Sequence, residues 1–201
     1  MIHWFLFDLG NTVIKLAYER VIENICAASD ADRDQVVEAF DRPGGYRDLE
    51  RGLATFTQFF NFMKEHTGYR GSIREFYELW ANFFDGAMPA IEDLLDRVRQ
   101  KYRVAFLSNS NEVHAEVIPI EFAALFRPDD RFIFSHRFKV AKPDLEIFQR
   151  AIETIGAKAG DVVFVDDLIE NVLAARSTGM RAFQYIDTPS LTAQLEEEGL
   201  L

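Results

Sequence analysis

The sequence predicts an α/β fold in which a doubly wound, Rossmann-like parallel sheet carries an inserted helical cap subdomain. Three observations predict it. Short apolar runs recur along the chain, and each is followed by polar or glycine-containing residues. Helical patterns separate the later runs, whereas residues 16–87 contain helical patterns and no convincing strand. Alternating strands and helices are typical of a parallel sheet that helices cover on both faces.

Five apolar runs are the predicted strands. They are apolar at nearly every position, which is typical of strands that are buried on both faces of a parallel sheet. The third run is the weakest of the five. The predicted strands span residues 2–7, 104–107, 132–134, 162–165 and 182–185.

Amphipathic helical patterns lie between the later strands. Their apolar residues recur at three- and four-residue spacing, so that each helix presents one apolar stripe to the sheet. Gly156 and Gly179 follow two of these patterns and are suitable helix stops. The stripes comprise Ile91, Leu94, Leu95 and Val98 in one helix, Leu145, Phe148, Ile152 and Ile155 in the next, and Ile169, Val172 and Leu173 in the last.

Residues 16–87 break the alternation and predict a small helical subdomain. Residues 55–58 and 72–75 both have the spacing of a capping box, which marks a helix start. Phenylalanine is dense in this segment and can supply its core. We therefore expect residues 1–15 and 88–201 to form the α/β core, with residues 16–87 inserted after the first strand as a helical cap.

Composition excludes several classes of function. The 201-residue chain has a formal net charge of -11, which disfavours a broad nucleic-acid-binding face. Its single cysteine, Cys26, excludes an intrachain disulfide. The apolar start at residues 1–7 is too short to span a membrane. An anionic small molecule could still bind where a metal or a few cations reverse the field locally. We expect a cytoplasmic protein that is monomeric or homodimeric.

Polar side chains follow the predicted strands at the points where the strands end. Because the carboxyl ends of parallel strands form the crevice of an open sheet, these side chains are expected to meet. Oxygen-only ligands favour a hard cation such as Mg²⁺, which would also relieve the repulsion among the carboxylates. The residues concerned are Asp8, Ser108, Asn109, Lys142, Asp166 and Asp167.

These residue types suit phosphoryl transfer. Asp8 can attack phosphorus and form an aspartyl-phosphate, which water then cleaves. Ser108 and Asn109 can hold the transferring oxygens, and Lys142 can balance their charge. Gly10 allows the backbone to turn closely around a bound anion.

Four ordered segments resemble the motifs of the haloacid dehalogenase superfamily. Residues 5–12, Phe-Leu-Phe-Asp-Leu-Gly-Asn-Thr, resemble the first motif, and residues 105–109, Ala-Phe-Leu-Ser-Asn, resemble the second. Lys142-Pro143-Asp144 resembles the third, and residues 162–171, which contain Asp166-Asp167, resemble the fourth. The segment 16–87 is similar to the helical, C1-type cap of this family.

The resemblance implies a magnesium-dependent phosphatase with Asp8 as its nucleophile and a small phosphorylated metabolite as its partner. Ser108 and Lys142 would bind the phosphoryl group. The implied magnesium ligands are Asp8, the backbone carbonyl of Gly10, and Asp167, with Asp166 nearby or bound through water.

Gly10 departs from the pattern of many phosphatases of this family, which have an aspartate there as general acid and base. Glycine cannot protonate a leaving alcohol, although such protonation contributes roughly a hundredfold or more to the rate. A branch of small sugar-phosphate phosphatases shares the Asp-Leu-Gly-Asn pattern. The Glu-Arg-Gly and Ser-Asn-x-Asn segments of that branch resemble residues 50–52 and 108–111. Good leaving groups, such as those of sugar 1-phosphates, would tolerate the loss best. His114, Glu50 or a metal-bound water could instead supply the proton.

Two other functions stay open at this stage. A 2-haloacid dehalogenase would use Asp8 as nucleophile without a metal, although Asp166 and Asp167 would then be a liability. A non-catalytic homologue would bind a phosphorylated ligand or a partner. In the phosphatase or in the dehalogenase, the inserted segment would contact the substrate. The candidate contacts are Arg47, Glu50 and Arg51.

Overall fold

A five-stranded parallel sheet forms the centre of the protein, which is described over all 201 residues by a computed structural model. The strands of the chain are β1 (Trp4–Phe7), β2 (Ile14–Leu16), β3 (Phe84–Ala87), β4 (Arg103–Ser108), β5 (Arg131–Phe134), β6 (Val162–Asp166) and β7 (Arg181–Gln184). The sheet has the order β5-β4-β1-β6-β7, so the first strand occupies the middle. All five predicted strands are confirmed.

Ten α-helices accompany the strands. None of them combines the length and the apolar character that a membrane span requires. The helices are α1 (Tyr18–Ala27), α2 (Arg33–Asp41), α3 (Tyr46–Glu50), α4 (Phe56–Thr67), α5 (Ile73–Ala81), α6 (Ile91–Arg99), α7 (Glu112–Glu121), α8 (Leu145–Ile155), α9 (Ile169–Ser177) and α10 (Thr188–Glu197).

Each face of the sheet buries its own apolar cluster. Side chains alternate along β1, so Phe5 and Phe7 join one cluster while Trp4 and Leu6 join the other. Helices α6, α7 and α10 contribute to the first cluster, and α8 and α9 contribute to the second. Helices therefore cover both faces, which confirms the doubly wound α/β fold.

The strand register brings three strand ends together at one edge. Phe7, the last residue of β1, pairs with Phe106 of β4 and with Val165 of β6. The backbone amide of Asp8 donates a 2.8 Å hydrogen bond to the Val165 carbonyl. Asp8 therefore follows β1 at the carboxyl edge of the sheet, beside the ends of its two neighbours.

The inserted segment, residues 16–87, contains helices α1 to α5. Both predicted capping boxes are present, because the Thr55 hydroxyl accepts from the Gln58 amide and the Ser72 hydroxyl accepts from the Glu75 amide. Asp32 forms a third box at the start of α2. These caps satisfy amide groups that the first helical turn leaves without partners.

The prediction that residues 16–87 contain no strand was wrong. Strand β3 pairs antiparallel with β2, and the two strands flank the helices of the inserted segment. Each strand has only three or four residues, and only Phe84 of β3 is buried, so no apolar run marks either one. Lys15 and Asp85 form an ion pair of 2.9 Å across the two strands.

The apolar core of the inserted segment is continuous with one face of the sheet. A single cluster of 40 buried residues contains both Phe7 of β1 and Trp80 of α5. The fully buried Trp80 ring also stacks on His114 of α7, with ring centroids 5.6 Å apart. We therefore expect the inserted segment and the sheet to unfold together.

Trp80→Ala tests this shared core. Removing a fully buried indole should lower the free energy of unfolding by about 3–5 kcal/mol. Tyr77→Ala, on the same helix, removes an aromatic ring that is 37% exposed and should cost no more than about 1 kcal/mol. Urea unfolding followed by circular dichroism should show one transition in every variant. A separate early transition in Trp80→Ala would mean that the inserted segment unfolds independently.

Candidate active site

A cavity of about 240 Å³ opens at the carboxyl edge of the sheet, where β1, β4 and β6 end. The inserted segment supplies part of its wall. Several predicted site residues meet there. The lining includes Asp8, Gly10, Leu16, Tyr46, Glu50, Ser108, Asn109, Ser110, His114, Lys142, Asp167 and Asn171.

The Lys142 ammonium group lies between two buried carboxylates. Its Nζ donates to Asp8 Oδ1 at 2.5 Å and to Asp166 Oδ2 at 2.6 Å. Burial disfavours the charge of Lys142, but the two carboxylates outweigh that effect and raise its pKa. Lys142 is therefore a fixed positive charge beside the Asp8 carboxylate.

Asp166 lies behind the cavity and is fully buried. Its Oδ1 accepts hydrogen bonds from the Leu168 amide at 2.9 Å and from Asn171 Nδ2 at 2.8 Å, while Lys142 occupies Oδ2. Its neighbour Asp167 lines the cavity instead. Asp166 thus orients Lys142 and the start of α9, and Asp167 faces the space where a ligand would bind.

Asp8, Asp166 and Asp167 form the one cluster of three side chains in the protein that could hold a metal ion. One carboxylate oxygen from each lies within 4.8 Å of the others. Burial raises the pKa of Asp8 to about 8, and the charges of Asp166 and Asp167 add to the rise while Lys142 opposes it. Burial, together with Asp166, also raises the pKa of Asp167 to about 6.

This donor set fits a hard divalent cation. A cation with oxygen ligands would stabilise the charged forms of Asp8 and Asp167, which burial and mutual repulsion disfavour. Gly10 also lines the cavity, and its backbone carbonyl accepts no hydrogen bond from within the protein. Two carboxylates and this carbonyl are ligands of the type that Mg²⁺ prefers.

Asn109 holds the backbone of Lys142. Its Nδ2 donates to the Lys142 carbonyl at 2.9 Å, and its Oδ1 accepts from the Lys142 amide at 2.8 Å. Both ends of the carboxamide are therefore in use. Ser108, the last residue of β4, is buried at the cavity wall, and its hydroxyl donates only a long 3.3 Å hydrogen bond to the Asn109 carbonyl.

Leu16 fills the space beside Gly10. A Cβ atom at Gly10 would lie 3.0 Å from Leu16 Cδ1, closer than ordinary van der Waals contact. An acidic side chain at this position would require Leu16 to shift by a few tenths of an ångström. Because glycine has no side chain, the position two residues after Asp8 supplies no proton donor to the cavity.

His114 is not free to exchange protons. Asn111 Nδ2 donates to His114 Nδ1 at 3.0 Å, so the proton of the ring lies on Nε2, which donates to the Trp80 carbonyl at 3.0 Å. Burial lowers the pKa of His114 to about 4. The residue joins α7 to α5 as a neutral imidazole.

The three predicted substrate contacts have different surroundings. Glu50 lines the cavity, but the Arg47 side chain is 73% exposed and pairs with Asp41 at 3.0 Å. Arg51 Nη1 pairs with Asp144 Oδ2 at 2.6 Å and does not line the cavity. The structure therefore brings only Glu50 of the three into the site.

Sequence reasoning missed three residues at or behind the cavity wall. Tyr46 lies one helical turn before Glu50, a spacing that could have indicated it. Asn171 lies in the motif that contains Asp166 and supports that carboxylate. Ser110 is buried and its hydroxyl has no hydrogen-bond partner, a property that only the three-dimensional structure reveals.

Larger clefts of about 570 and 760 Å³ lie at the opposite edge of the sheet, around Trp4, Arg99 and Arg103. Neither contains Asp8, Lys142 or the acidic cluster. We therefore assign the chemistry to the smaller cavity.

Comparison with known proteins identifies the family. A family profile described as haloacid dehalogenase-like hydrolase matches residues 2–179. A D-ribitol-5-phosphate phosphatase from Bacteroides thetaiotaomicron is 24% identical over 189 residues, which is 92% of both chains. The chain thus matches this relative over nearly its whole length.

Solved structures agree with this assignment. A HAD family enzyme from Bacteroides thetaiotaomicron, crystallised with magnesium and inorganic phosphate, is 28% identical to this chain and superposes on it with a TM-score of 0.78. The match covers 92% of this chain and 94% of that enzyme. A predicted HAD-like hydrolase from Porphyromonas gingivalis is 26% identical to this chain, with a TM-score of 0.80, and the match covers 97% of this chain and 98% of that hydrolase. The chain belongs to the haloacid dehalogenase-like hydrolase family, and it is a phosphoric monoester hydrolase of that family.

Proposed function

We propose that this phosphatase hydrolyses a small sugar- or polyol-phosphate with Mg²⁺, through an aspartyl-phosphate on Asp8. The observation that carries the proposal is the setting of the Asp8 carboxylate. One of its oxygens contacts Lys142, and it belongs to the cluster with Asp167 that fits a divalent cation. A nucleophile, a cation site and a fixed positive charge thus border one cavity.

In this proposal Asp8 attacks the phosphorus atom and the bond from phosphorus to the substrate alcohol breaks. Lys142 and the Ser108 hydroxyl bind phosphoryl oxygens and balance their charge. Water then attacks the phosphoryl group, and the bond to Asp8 breaks. When bound by Asp8, the Gly10 carbonyl and Asp167, Mg²⁺ would orient the phosphoryl group and offset its charge.

Residues 16–87 act in this proposal as a cap over the core of residues 1–15 and 88–201. They contribute Leu16, Tyr46 and Glu50 to the cavity wall and so exclude water from the reacting groups. The cavity, at about 240 Å³, is smaller than the roughly 300–1,000 Å³ pockets of drug-sized ligands. One relative of the chain is named D-ribitol-5-phosphate phosphatase, which supports a sugar- or polyol-phosphate substrate.

Asp8→Asn tests the nucleophile. The amide is a poor nucleophile, so kcat should fall at least about a thousandfold with Mg²⁺ present. Acid quenching followed by mass spectrometry should detect one phosphoryl group on the wild-type peptide that contains Asp8 and none on the variant. Asp129→Asn, an exposed change at the opposite edge of the sheet, should behave like the wild type. Retention of most activity in Asp8→Asn would contradict the proposal.

Chelation and Asp167→Asn test the cation. Removal of divalent ions should abolish hydrolysis, and added Mg²⁺ should restore it. Asp167→Asn should raise the Mg²⁺ concentration for half-maximal activity at least about tenfold, because it removes a charged ligand. Metal-independent release of chloride from a 2-chloroacid would instead favour the dehalogenase function.

A substrate screen tests the size of the cavity. Phosphates of four- to six-carbon sugars and polyols should have kcat/KM values at least about tenfold above those of nucleoside monophosphates. The screen should include sugar 1-phosphates and primary phosphates, since these differ in leaving group. Equal or higher kcat/KM values for nucleotides would contradict the assignment of a small substrate.

A further inference from the structure

Hydrolysis of a primary sugar or polyol phosphate needs a proton donor for the leaving alcohol. An alkoxide is a poor leaving group, and its protonation contributes about 10²–10⁴-fold to the rate. Gly10 cannot provide the proton, and Leu16 occupies the space beside it. His114 cannot provide it either, because both ring nitrogens are engaged in hydrogen bonds.

Glu50 is the carboxyl group that the inserted segment contributes to the cavity wall. It is the last residue of α3, and the core fixes its backbone, because Ser135 Oγ donates a 2.5 Å hydrogen bond to the Glu50 carbonyl. Ser135 also accepts from the Ser110 amide at 2.9 Å, which links Glu50 to the loop after β4. The Glu50 backbone is therefore tied to the segments that follow β4 and β5.

The two residues after Glu50 secure this attachment. Arg51 pairs with Asp144 at 2.6 Å, two residues beyond Lys142. Gly52 has a φ of 64° and packs so closely on His136 that a Cβ atom would lie 2.1 Å from the His136 carbonyl oxygen. The sequence Glu50-Arg51-Gly52 thus docks the inserted segment beside Lys142, with the Glu50 side chain at the cavity.

The surroundings of Glu50 suit proton exchange near neutral pH. Burial raises the pKa of Glu50 to about 7, while the Tyr46 hydroxyl and the positive charges of Lys142, Arg47 and Arg51 oppose the rise. A carboxyl group with such a pKa is present in both protonation states at neutral pH. It can therefore donate a proton in one step and accept one in the next.

We propose that Glu50 is the general acid and general base of the reaction, in place of the acid that is missing at Gly10. This inference rests on the function proposed above. As Asp8 attacks phosphorus, the electron pair of the breaking bond passes to the leaving oxygen, which takes the proton of Glu50. The Glu50 carboxylate then takes a proton from the attacking water, the bond from phosphorus to Asp8 breaks, and inorganic phosphate leaves.

Glu50→Gln tests the proposal with two substrates of different leaving group. For the best primary sugar or polyol phosphate of the screen, kcat/KM should fall at least about a hundredfold. For p-nitrophenyl phosphate, whose leaving group needs no proton, kcat/KM should fall less than about tenfold. Glu65→Gln, an exposed glutamate of α4, is the matched control and should leave both values unchanged.

The base role predicts a further signature in Glu50→Gln. With p-nitrophenyl phosphate, release of about one equivalent of p-nitrophenolate per enzyme should precede a slower steady state, because aspartyl-phosphate hydrolysis lacks its base. Glu50→Asp, which keeps the carboxyl group, should recover part of the activity on the primary phosphate.

Three outcomes would overturn parts of the account in distinguishable ways. Equal losses for both substrates in Glu50→Gln would mean that Glu50 has only a structural role. Unchanged activity on both would leave a metal-bound water as the proton donor and exclude Glu50. If wild-type protein hydrolysed neither ester, the proposed function itself would be wrong, and the role of Glu50 would fall with it.

Discussion

The buried contact of the Lys142 ammonium group with Asp8 and Asp166 is the interaction on which the site depends. Ionisable groups buried together at the carboxyl edge of a sheet are stable only when their charges and hydrogen bonds are satisfied. Lys142 donates to one oxygen of each carboxylate. The other oxygen of Asp166 accepts from Asn171 and from the Leu168 amide. Asn109 fixes the Lys142 backbone. The network leaves Asp167 and one side of Asp8 facing the cavity, where a cation and a phosphoryl group can bind.

The second constraint is the docking of the inserted segment on that network. Ser135, Asp144 and His136 hold Glu50-Arg51-Gly52 at the core side of the cavity, and His114 joins α7 to α5 through the Trp80 carbonyl. The segment is thus attached near the reacting groups at two points. Such attachment explains how a side chain of the inserted segment could take the role that Gly10 cannot perform.

The sheet and the strand-end residues were predictable because both depend on local sequence. Runs that are apolar on both faces identify buried strands, and parallel strands bring their carboxyl ends together. Strands β2 and β3 were not predictable, since they are short and mostly exposed. Contacts across long stretches of chain decide which of Arg47, Glu50 and Arg51 lines the cavity. One such contact joins Ser135 and Glu50, which are 85 residues apart. No local pattern records such a contact.

A crystal structure of the wild-type protein with Mg²⁺ and inorganic phosphate would test the central claim most directly. The account predicts one cation bound by Asp8, the Gly10 carbonyl and Asp167, and one phosphate contacting Lys142 and Ser108, with the Glu50 carboxyl facing the phosphate across the cavity. A phosphate bound at the opposite edge of the sheet, around Arg99 and Arg103, or a cation remote from Asp8, would contradict it.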